Sequence, residues 1–251
     1  MKKWLIRRGL GAPSRIIVLY GLWAREISRR GNRGGVTAIG NFLPDAPPPD
    51  IRECEGLRTW LGLSEDDFAV LTVGSVGERK GSYEIIKAAP MLRAKDQKVR
   101  FLLAGGEEYP LDLEKVSNTV REKGVEDTVK VLGELERDKI PLLLGAAQAF
   151  LLPSFFEGMP IAIIEAMRAG LPIIATDVGG VPEMIKHEKS GLLIKPGGPE
   201  EIERAVLRLK NDPELASALG RGARKTFERS FRLEAVIDKI EAVYLSMAPK
   251  E

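Results

Sequence analysis

The chain has 251 residues, of which 44% are apolar and 29% charged, and its formal net charge at pH 7 is +2. This length and composition fit one large globular domain or two small ones and exclude a disordered tail. The single cysteine, Cys54, excludes a disulfide framework and a cysteine-rich zinc site. No apolar run approaches the ~20 residues that a membrane-spanning helix needs.

Positive charge is concentrated at the start of the chain. Residues 1–33 contain nine basic side chains and one acidic side chain, Glu26. Such a segment can contact anionic lipid, and a solvated surface explains it as well. The arginines are not interleaved with aromatic residues, so we predict no nucleic-acid surface. We expect a cytoplasmic location, with a weak peripheral contact at the inner membrane face as an open alternative.

The predicted elements begin with a β-α-β unit. Strands are predicted over residues 15–20 and 36–39 and a helix over 22–30, and this unit is too small to bury a core alone. A stretch with four prolines follows at residues 41–50. Because prolines at this density force an irregular, extended path, we place a domain boundary there.

Beyond the boundary, short apolar runs alternate with amphipathic segments. Strands are predicted over residues 68–73, 99–104, 129–132, 149–152, 172–175 and 192–194. Helices are predicted over residues 82–92, 111–123, 141–147, 160–169, 181–186, 199–210, 213–229 and 232–247. This alternation predicts right-handed βαβ crossovers and a doubly wound parallel sheet, an α/β fold. Such a sheet binds ligands at the carboxyl ends of its strands, near the switch point.

A glycine-bearing loop at residues 74–81 follows the strand predicted over 68–73. Its basic pair, Arg79 and Lys80, precedes the next helix. Backbone N–H groups and a lysine charge suit a diphosphate. The loop is neither a Walker loop nor a Gly-x-Gly-x-x-Gly fingerprint, and a solvated basic turn explains it equally well.

Residues 153–167 are the most informative stretch. Pro160 suits the first position of a helix, and the unpaired N–H groups of a first helical turn form an anion site. Gly158 lets a ligand approach the backbone. Glu165 lies one turn further on and needs a partner, because a lone buried carboxylate is costly. A ribose diol and a structural ion pair with a nearby Arg or Lys are both suitable partners.

These stretches, in this order, resemble the donor-binding domain of retaining glycosyltransferases of the two-Rossmann (GT-B) type, the group 1 glycosyl transferases. That family includes bacterial mannosyl- and glucosyltransferases and sucrose synthases. Its Glu-x7-Glu signature is matched by Glu157 and Glu165, which have seven residues between them. Further stretches match around the signature, at residues 74–81, 131–133, 152–154, 166–176, 178–183, 191–193 and 196–197. The resemblance covers about residues 14–248.

The resemblance implies roles for the matched residues. Glu157 and Lys80 are the implied catalytic residues, the first beside the transferred sugar and the second neutralising the leaving diphosphate. Glu165 would hold the ribose hydroxyls. The remaining implied donor-binding residues lie in three stretches. Ser75 and Arg79 are in the first, and Gly133 and Leu135, beside the base, are in the second. The third contains Gly158, Met159 and Ile161, whose backbone would cradle sugar and phosphate. The donor would be a UDP- or GDP-hexose. We expect no cofactor and no metal, in agreement with the lack of an Asp-x-Asp pair.

Two departures from the family stand out. The family often places an arginine five positions before the lysine, where Ser75 stands. Half of the cationic clamp is then missing unless Arg79 substitutes. The family also has two domains of comparable size. We expect residues 1–43 to be a remnant of the acceptor domain, residues 44–230 to be the donor domain and residues 231–251 to be a crossover helix.

We therefore predict a retaining glycosyltransferase in glycan, glycolipid or polysaccharide synthesis, acting on an unknown acceptor. An N-terminal domain or a partner subunit would supply the missing half. The alternative is a non-catalytic nucleotide-sugar-binding half. A sugar-nucleotide 2-epimerase shares the architecture, and the surroundings of the Glu-x7-Glu signature argue against it.

Overall fold

The computed structural model describes residues 15–30 and 35–247. The strands among them are β1 (Ile16–Val18), β2 (Val36–Ala38), β3 (Phe68–Val73), β4 (Val99–Ala104), β5 (Val129–Gly133), β6 (Ala149–Leu152), β7 (Ile173–Thr176) and β8 (Leu192–Ile194). The helices among them are α1 (Gly21–Arg29), α2 (Ile51–Trp60), α3 (Ser82–Lys95), α4 (Asp112–Glu122), α5 (Lys139–Ala146), α6 (Ile161–Ala169), α7 (Val181–Met184), α8 (Pro199–Asn211), α9 (Pro213–Ser230) and α10 (Leu233–Leu245).

Six parallel strands form the main sheet, in the order β5-β4-β3-β6-β7-β8. The central strands are runs of apolar residues because helices cover both faces of the sheet. The strand order reverses between β3 and β6, which places the switch point there. The predicted α/β fold with a doubly wound parallel sheet is therefore confirmed.

The core forms two layers, one on each face of the sheet. On one face α3, α4 and α8 pack over side chains such as Phe101 and Leu151. On the other face α2, α5, α6 and α9 pack over side chains such as Phe150 and Leu152. The loops that follow the strands emerge between these layers at one edge of the sheet.

The predicted β-α-β unit at the start of the chain is also present. β1 and β2 form a separate two-stranded parallel sheet. The Glu183 carboxylate accepts hydrogen bonds from the backbone N–H groups of Gly21, at 2.7 Å, and Leu22, at 3.0 Å. The closing helix α10 returns to this unit, where Val236 and Val243 pack on Ile39. The assignment of domain boundaries stays a prediction.

Two details differ from the sequence predictions. The sequence predicts no helix between the proline-rich stretch and β3, whereas α2 lies there and is capped by the Asp50 side chain, which accepts from the N–H of Arg52. Its apolar pattern is weak because Ile51 and Trp60 are exposed and Cys54 is its only buried residue. Helix α6 begins at Ile161, and Pro160 is the extended residue before it.

The basic start of the chain falls largely outside the described residues, since residues 1–14 and 31–34 are not part of them. Its predicted contact with anionic lipid therefore stays a prediction. Within residues 15–30 and 35–247, no helix has the length and apolarity to cross a membrane.

Candidate active site

Two loops meet at the switch point of the sheet. They follow β3 and β6, which are parallel neighbours and so deliver residues 74–81 and 153–160 to the same edge. The N–H of Phe155 donates to the carbonyl of Arg79 at 2.9 Å. Gly81 has a φ of +76°, and a Cβ there would lie 2.2 Å from the Pro153 carbonyl oxygen. Only glycine lets these two loops touch at this point.

Lys80 and Glu157, one from each loop, form an ion pair. The Lys80 Nζ lies 2.6 Å from Glu157 Oε1, and their side chains are only 13% and 6% exposed. The backbone of Glu157 is itself packed closely, because a Cβ on Gly179 would lie 1.7 Å from the Glu157 carbonyl oxygen. The structure therefore brings the two predicted catalytic residues together in a protected position at the switch point.

The backbone after Glu157 presents N–H groups. The carbonyl of Gly158 accepts from the N–H of Gly180 at 2.9 Å, and the carbonyl of Met159 accepts from Asn41 Nδ2 at 2.7 Å. In the described part of the chain, the N–H groups of Gly158, Met159 and Ile161 have no acceptor. No described side chain caps the N-terminus of α6. This arrangement suits an anion, as the sequence predicts for this stretch.

Arg79 points to a partner that the sequence does not predict. Its Nε–H is shared between the two carboxylate oxygens of Glu108, at 2.6 and 2.7 Å, and its Nη1 donates to the carbonyl of Phe156 at 3.3 Å. Ser75 Oγ lies 3.2 Å from Glu108 Oε2. The hydrogen bond from Arg79 lowers the pKa of Glu108, and the same bond raises the pKa of Arg79.

A pattern in the sequence indicates the loop that carries Glu108. Glu107 and Glu108 follow Gly105 and Gly106 directly after β4, the neighbour of β3 in the sheet. Acidic residues at the carboxyl end of a strand beside the switch point belong to the ligand edge of such a fold. Which of the two acids reaches Arg79 depends on the conformation of this loop.

Glu165 lies on α6 and is half-buried. Burial raises its pKa, while the charges of Arg168 and Arg137 act in the opposite direction. Among residues 15–30 and 35–247, Glu165 has no hydrogen bond and no ion pair. The structural ion pair that the sequence left open is therefore not formed with any described residue, and this carboxylate keeps its capacity to accept hydrogen bonds.

Gly133 and Leu135 lie in the loop after β5. Gly133 has a φ of +70°, and its carbonyl accepts from the N–H of Gly105 at 2.7 Å. Leu135 is half-buried against the core layer that contains α5 and α6. The same loop carries Arg137, whose charge acts on Glu165. The loop that carries these two predicted residues is therefore linked to Glu165 through the charge of Arg137.

The described residues contain no group of three or more His, Cys, Asp or Glu side chains that could hold a metal ion. The predicted independence from metals and cofactors remains a prediction.

Comparison with known protein families shows to which family the chain belongs. The family described as "Glycosyl transferases group 1" matches residues 57–226. The chain belongs to this family. The resemblance carried by the Glu-x7-Glu signature and its surroundings is therefore confirmed at the level of the family.

Relatives of this group 1 member differ in length from it. Alpha-D-kanosaminyltransferase of Streptomyces kanamyceticus is 31% identical over 188 residues, which are 75% of this chain and 48% of that protein. The GDP-mannose-dependent alpha-(1-6)-phosphatidylinositol monomannoside mannosyltransferase of Mycobacterium tuberculosis is 27% identical over 247 residues, 94% of this chain and 63% of that protein. The chain thus spans about half of the first relative and less than two thirds of the second.

A solved structure shows the same fold. The crystal structure of Anabaena HepE in complex with UDP superimposes with a TM-score of 0.82 and 22% sequence identity, covering 93% of this chain and 64% of that chain. The six-stranded sheet with its β-α-β unit accordingly has the Rossmann-like architecture of GT-B glycosyltransferases in the part that the two chains share.

Proposed function

We propose that this group 1 chain binds a nucleotide-sugar donor and contributes the donor site of a glycosyltransferase that transfers a hexosyl group with retention. One observation carries the proposal: the ion pair of Lys80 and Glu157 lies at the switch point, beside backbone N–H groups that have no acceptor among the described residues. A cation, oriented N–H groups and a carboxylate match the phosphates and the hydroxyls of a nucleotide sugar.

The relatives support a nucleotide sugar as the ligand. HepE was solved in complex with UDP, and the mycobacterial relative is named as a GDP-mannose-dependent mannosyltransferase. We therefore propose a UDP- or GDP-hexose as the donor. The half-buried Glu165 is proposed to accept the ribose hydroxyls, and the loop with Gly133 and Leu135 is proposed to lie against the base.

The proposed chemistry follows from the charges at the site. The bond between the anomeric carbon and the phosphate oxygen breaks, and its electron pair leaves with the diphosphate. The acceptor oxygen forms its bond to the same face of the anomeric carbon, and its proton passes to the phosphate oxygen that leaves. Lys80 and the N–H groups near the start of α6 stabilise the negative charge that develops on the leaving group, and losing one such donor typically costs ~3–4 kcal/mol of transition-state stabilisation.

A titration tests the proposal. The purified chain is titrated with UDP-glucose, UDP-N-acetylglucosamine and GDP-mannose, with inorganic phosphate as the control. We expect saturable binding of one donor, weakened by ~1–3 kcal/mol in Lys80→Ala and in Glu165→Gln because each removes a charged hydrogen bond. Glu157→Gln should keep nucleotide binding. Unchanged affinity in both Lys80→Ala and Glu165→Gln would refute the proposed site.

A non-catalytic donor-binding half is the second candidate. Two observations favour it: Ser75 stands at a position where the family often has an arginine, and Arg79 is engaged by Glu108. A measurement of sugar transfer distinguishes the two candidates, since a binding half holds the donor and never transfers its sugar. The acceptor, a second domain or partner subunit, and the cytoplasmic location stay predictions.

A further inference from the structure

Two neighbouring cations at the proposed donor site are each paired with a carboxylate from a different loop. Lys80 pairs with Glu157, after β6, and Arg79 pairs with Glu108, after β4. The four side chains together carry no net charge, so a dianionic phosphate group meets a neutral cluster rather than a positive one. A cation that exchanges its carboxylate for the diphosphate presents its full positive charge to the phosphates.

Arg79 lies close enough to the phosphate-binding backbone to take part. Its Nη1 donates to the carbonyl of Phe156, the residue directly before Glu157. The two ion pairs also influence each other: Lys80 helps to lower the pKa of Glu108, and Glu157 helps to raise the pKa of Arg79. A diphosphate at Lys80 is therefore within the electrostatic reach of the Arg79 guanidinium.

The two pairs differ in access to solvent. The side chains of Arg79 and Glu108 are 35% and 24% exposed and line an open cleft of about 390 Å³ with Tyr109 and Phe155. Partly exposed ion pairs are weak, because water screens them and long side chains lose entropy when they are held. The Arg79 pair is thus the one that can exchange its carboxylate for a phosphate at low cost.

We propose that Glu108 determines the affinity of the donor site by holding Arg79, so that the diphosphate must compete with this carboxylate for the guanidinium. The inference rests on the proposed function, since it assigns a residue to the same site. The Ser75 hydroxyl donates a hydrogen bond to Glu108 and so also helps to hold the carboxylate in place.

The experiment measures the dissociation constant of UDP by calorimetry for wild type, Glu108→Gln and Glu107→Gln. Glu107 is the matched control: it precedes Glu108, is exposed, and its side chain makes no hydrogen bond or ion pair with the described residues. We expect Glu108→Gln to bind UDP roughly fivefold more tightly, the equivalent of a partly exposed ion pair. We expect Glu107→Gln to stay within about a factor of two of wild type.

Two further comparisons test the mechanism. The gain in UDP affinity should disappear when Glu108→Gln is made in an Arg79→Gln background, so that Arg79→Gln/Glu108→Gln binds UDP like Arg79→Gln. Uridine, which has no phosphate, should bind equally to wild type and Glu108→Gln.

The outcomes separate this inference from the proposed function. If Lys80→Ala loses UDP binding while Glu108→Gln matches Glu107→Gln, the donor site stands and the role of Glu108 is refuted. A gain that persists without Arg79, or that extends to uridine, refutes it as well. If Lys80→Ala binds UDP like wild type, both proposals are overturned. Should Glu108→Gln lower the melting temperature, Glu108→Asp retains the charge on a shorter side chain and should show a smaller gain in the same direction.

Discussion

Lys80 and Glu157 are 77 positions apart in the sequence, yet the Lys80 Nζ lies 2.6 Å from a carboxylate oxygen of Glu157. Each residue is the counter-ion of the other in a position where both are largely shielded from water. A shielded pair of this kind adds little net stability, whereas removing one partner leaves an uncompensated charge. The site therefore couples the stability of the chain to the residues proposed for donor binding.

Lys80→Ala is expected to lower the free energy of unfolding by about 3 kcal/mol, because it leaves the Glu157 carboxylate shielded and unpaired. Urea denaturation measures this loss. The double variant Lys80→Ala/Glu157→Gln should regain most of it, since no charge then remains unpaired. Lys98→Ala serves as the control: its pair with Asp66 is exposed on both sides, and its loss should cost less than about 1 kcal/mol. Equal losses in the single and double variants would contradict the expectation.

Glu165→Gln is expected to change how stability depends on pH. Burial raises the pKa of Glu165, so the folded chain holds this proton more tightly than the unfolded chain does. Wild type should lose stability relative to Glu165→Gln as the pH rises from the ordinary carboxyl pKa through the raised one, and the difference should vanish below both. Urea titrations of both proteins over a pH series measure it. A difference that grows towards acid pH would have the wrong sign.

Gly179→Ala is expected to lower stability by more than the strain of its positive φ accounts for, and to disrupt the donor site. Gly179 has a φ of +56°, and its Cβ would overlap the Glu157 carbonyl oxygen. Gly124→Ala is the matched control, because Gly124 has a φ of +59° and a Cβ there would meet no described atom within 4 Å. The control should lose ~1–2 kcal/mol of stability and keep its affinity for UDP. Gly179→Ala should lose more stability and also UDP binding, and equal effects in both variants would rule out this packing role.

Glu183→Ala is expected to loosen the β-α-β unit. The carboxylate caps the N-terminus of α1 by accepting from the N–H groups of Gly21 and Leu22, and losing such a cap typically costs ~1 kcal/mol. Hydrogen exchange of these two amides should become faster. Glu26→Ala, which removes an exposed acid of the same helix that pairs with Arg30 just beyond its end, should leave these two amides nearly unchanged. Identical exchange in both variants would show that Glu183 does not hold this helix.

Much of the fold could be predicted because local patterns carry it. The strand at Phe68–Val73 is a continuous apolar run that ends at a glycine, and the structure has the same bounds. The sequence does not predict helix α2, because a helix is recognised by an apolar stripe and two of its large apolar residues face solvent: Ile51 is 72% and Trp60 is 74% exposed. Its only clear local signal is the capping residue Asp50.

The sequence by itself determined the order of the strands and of the helices other than α2, the family, the loops in which Lys80 and Glu157 lie, and the helix that carries Glu165. These features depend on residues close together in the chain. Only the tertiary structure decided the partners: Lys80 with Glu157, Arg79 with Glu108 and Gly21 with Glu183, which are 77, 29 and 162 positions apart. Such contacts depend on which strands become neighbours and how their loops turn, and no local periodicity encodes either one. That is why Arg79, whose charge alone suggests a phosphate ligand, is held by a carboxylate in the folded chain.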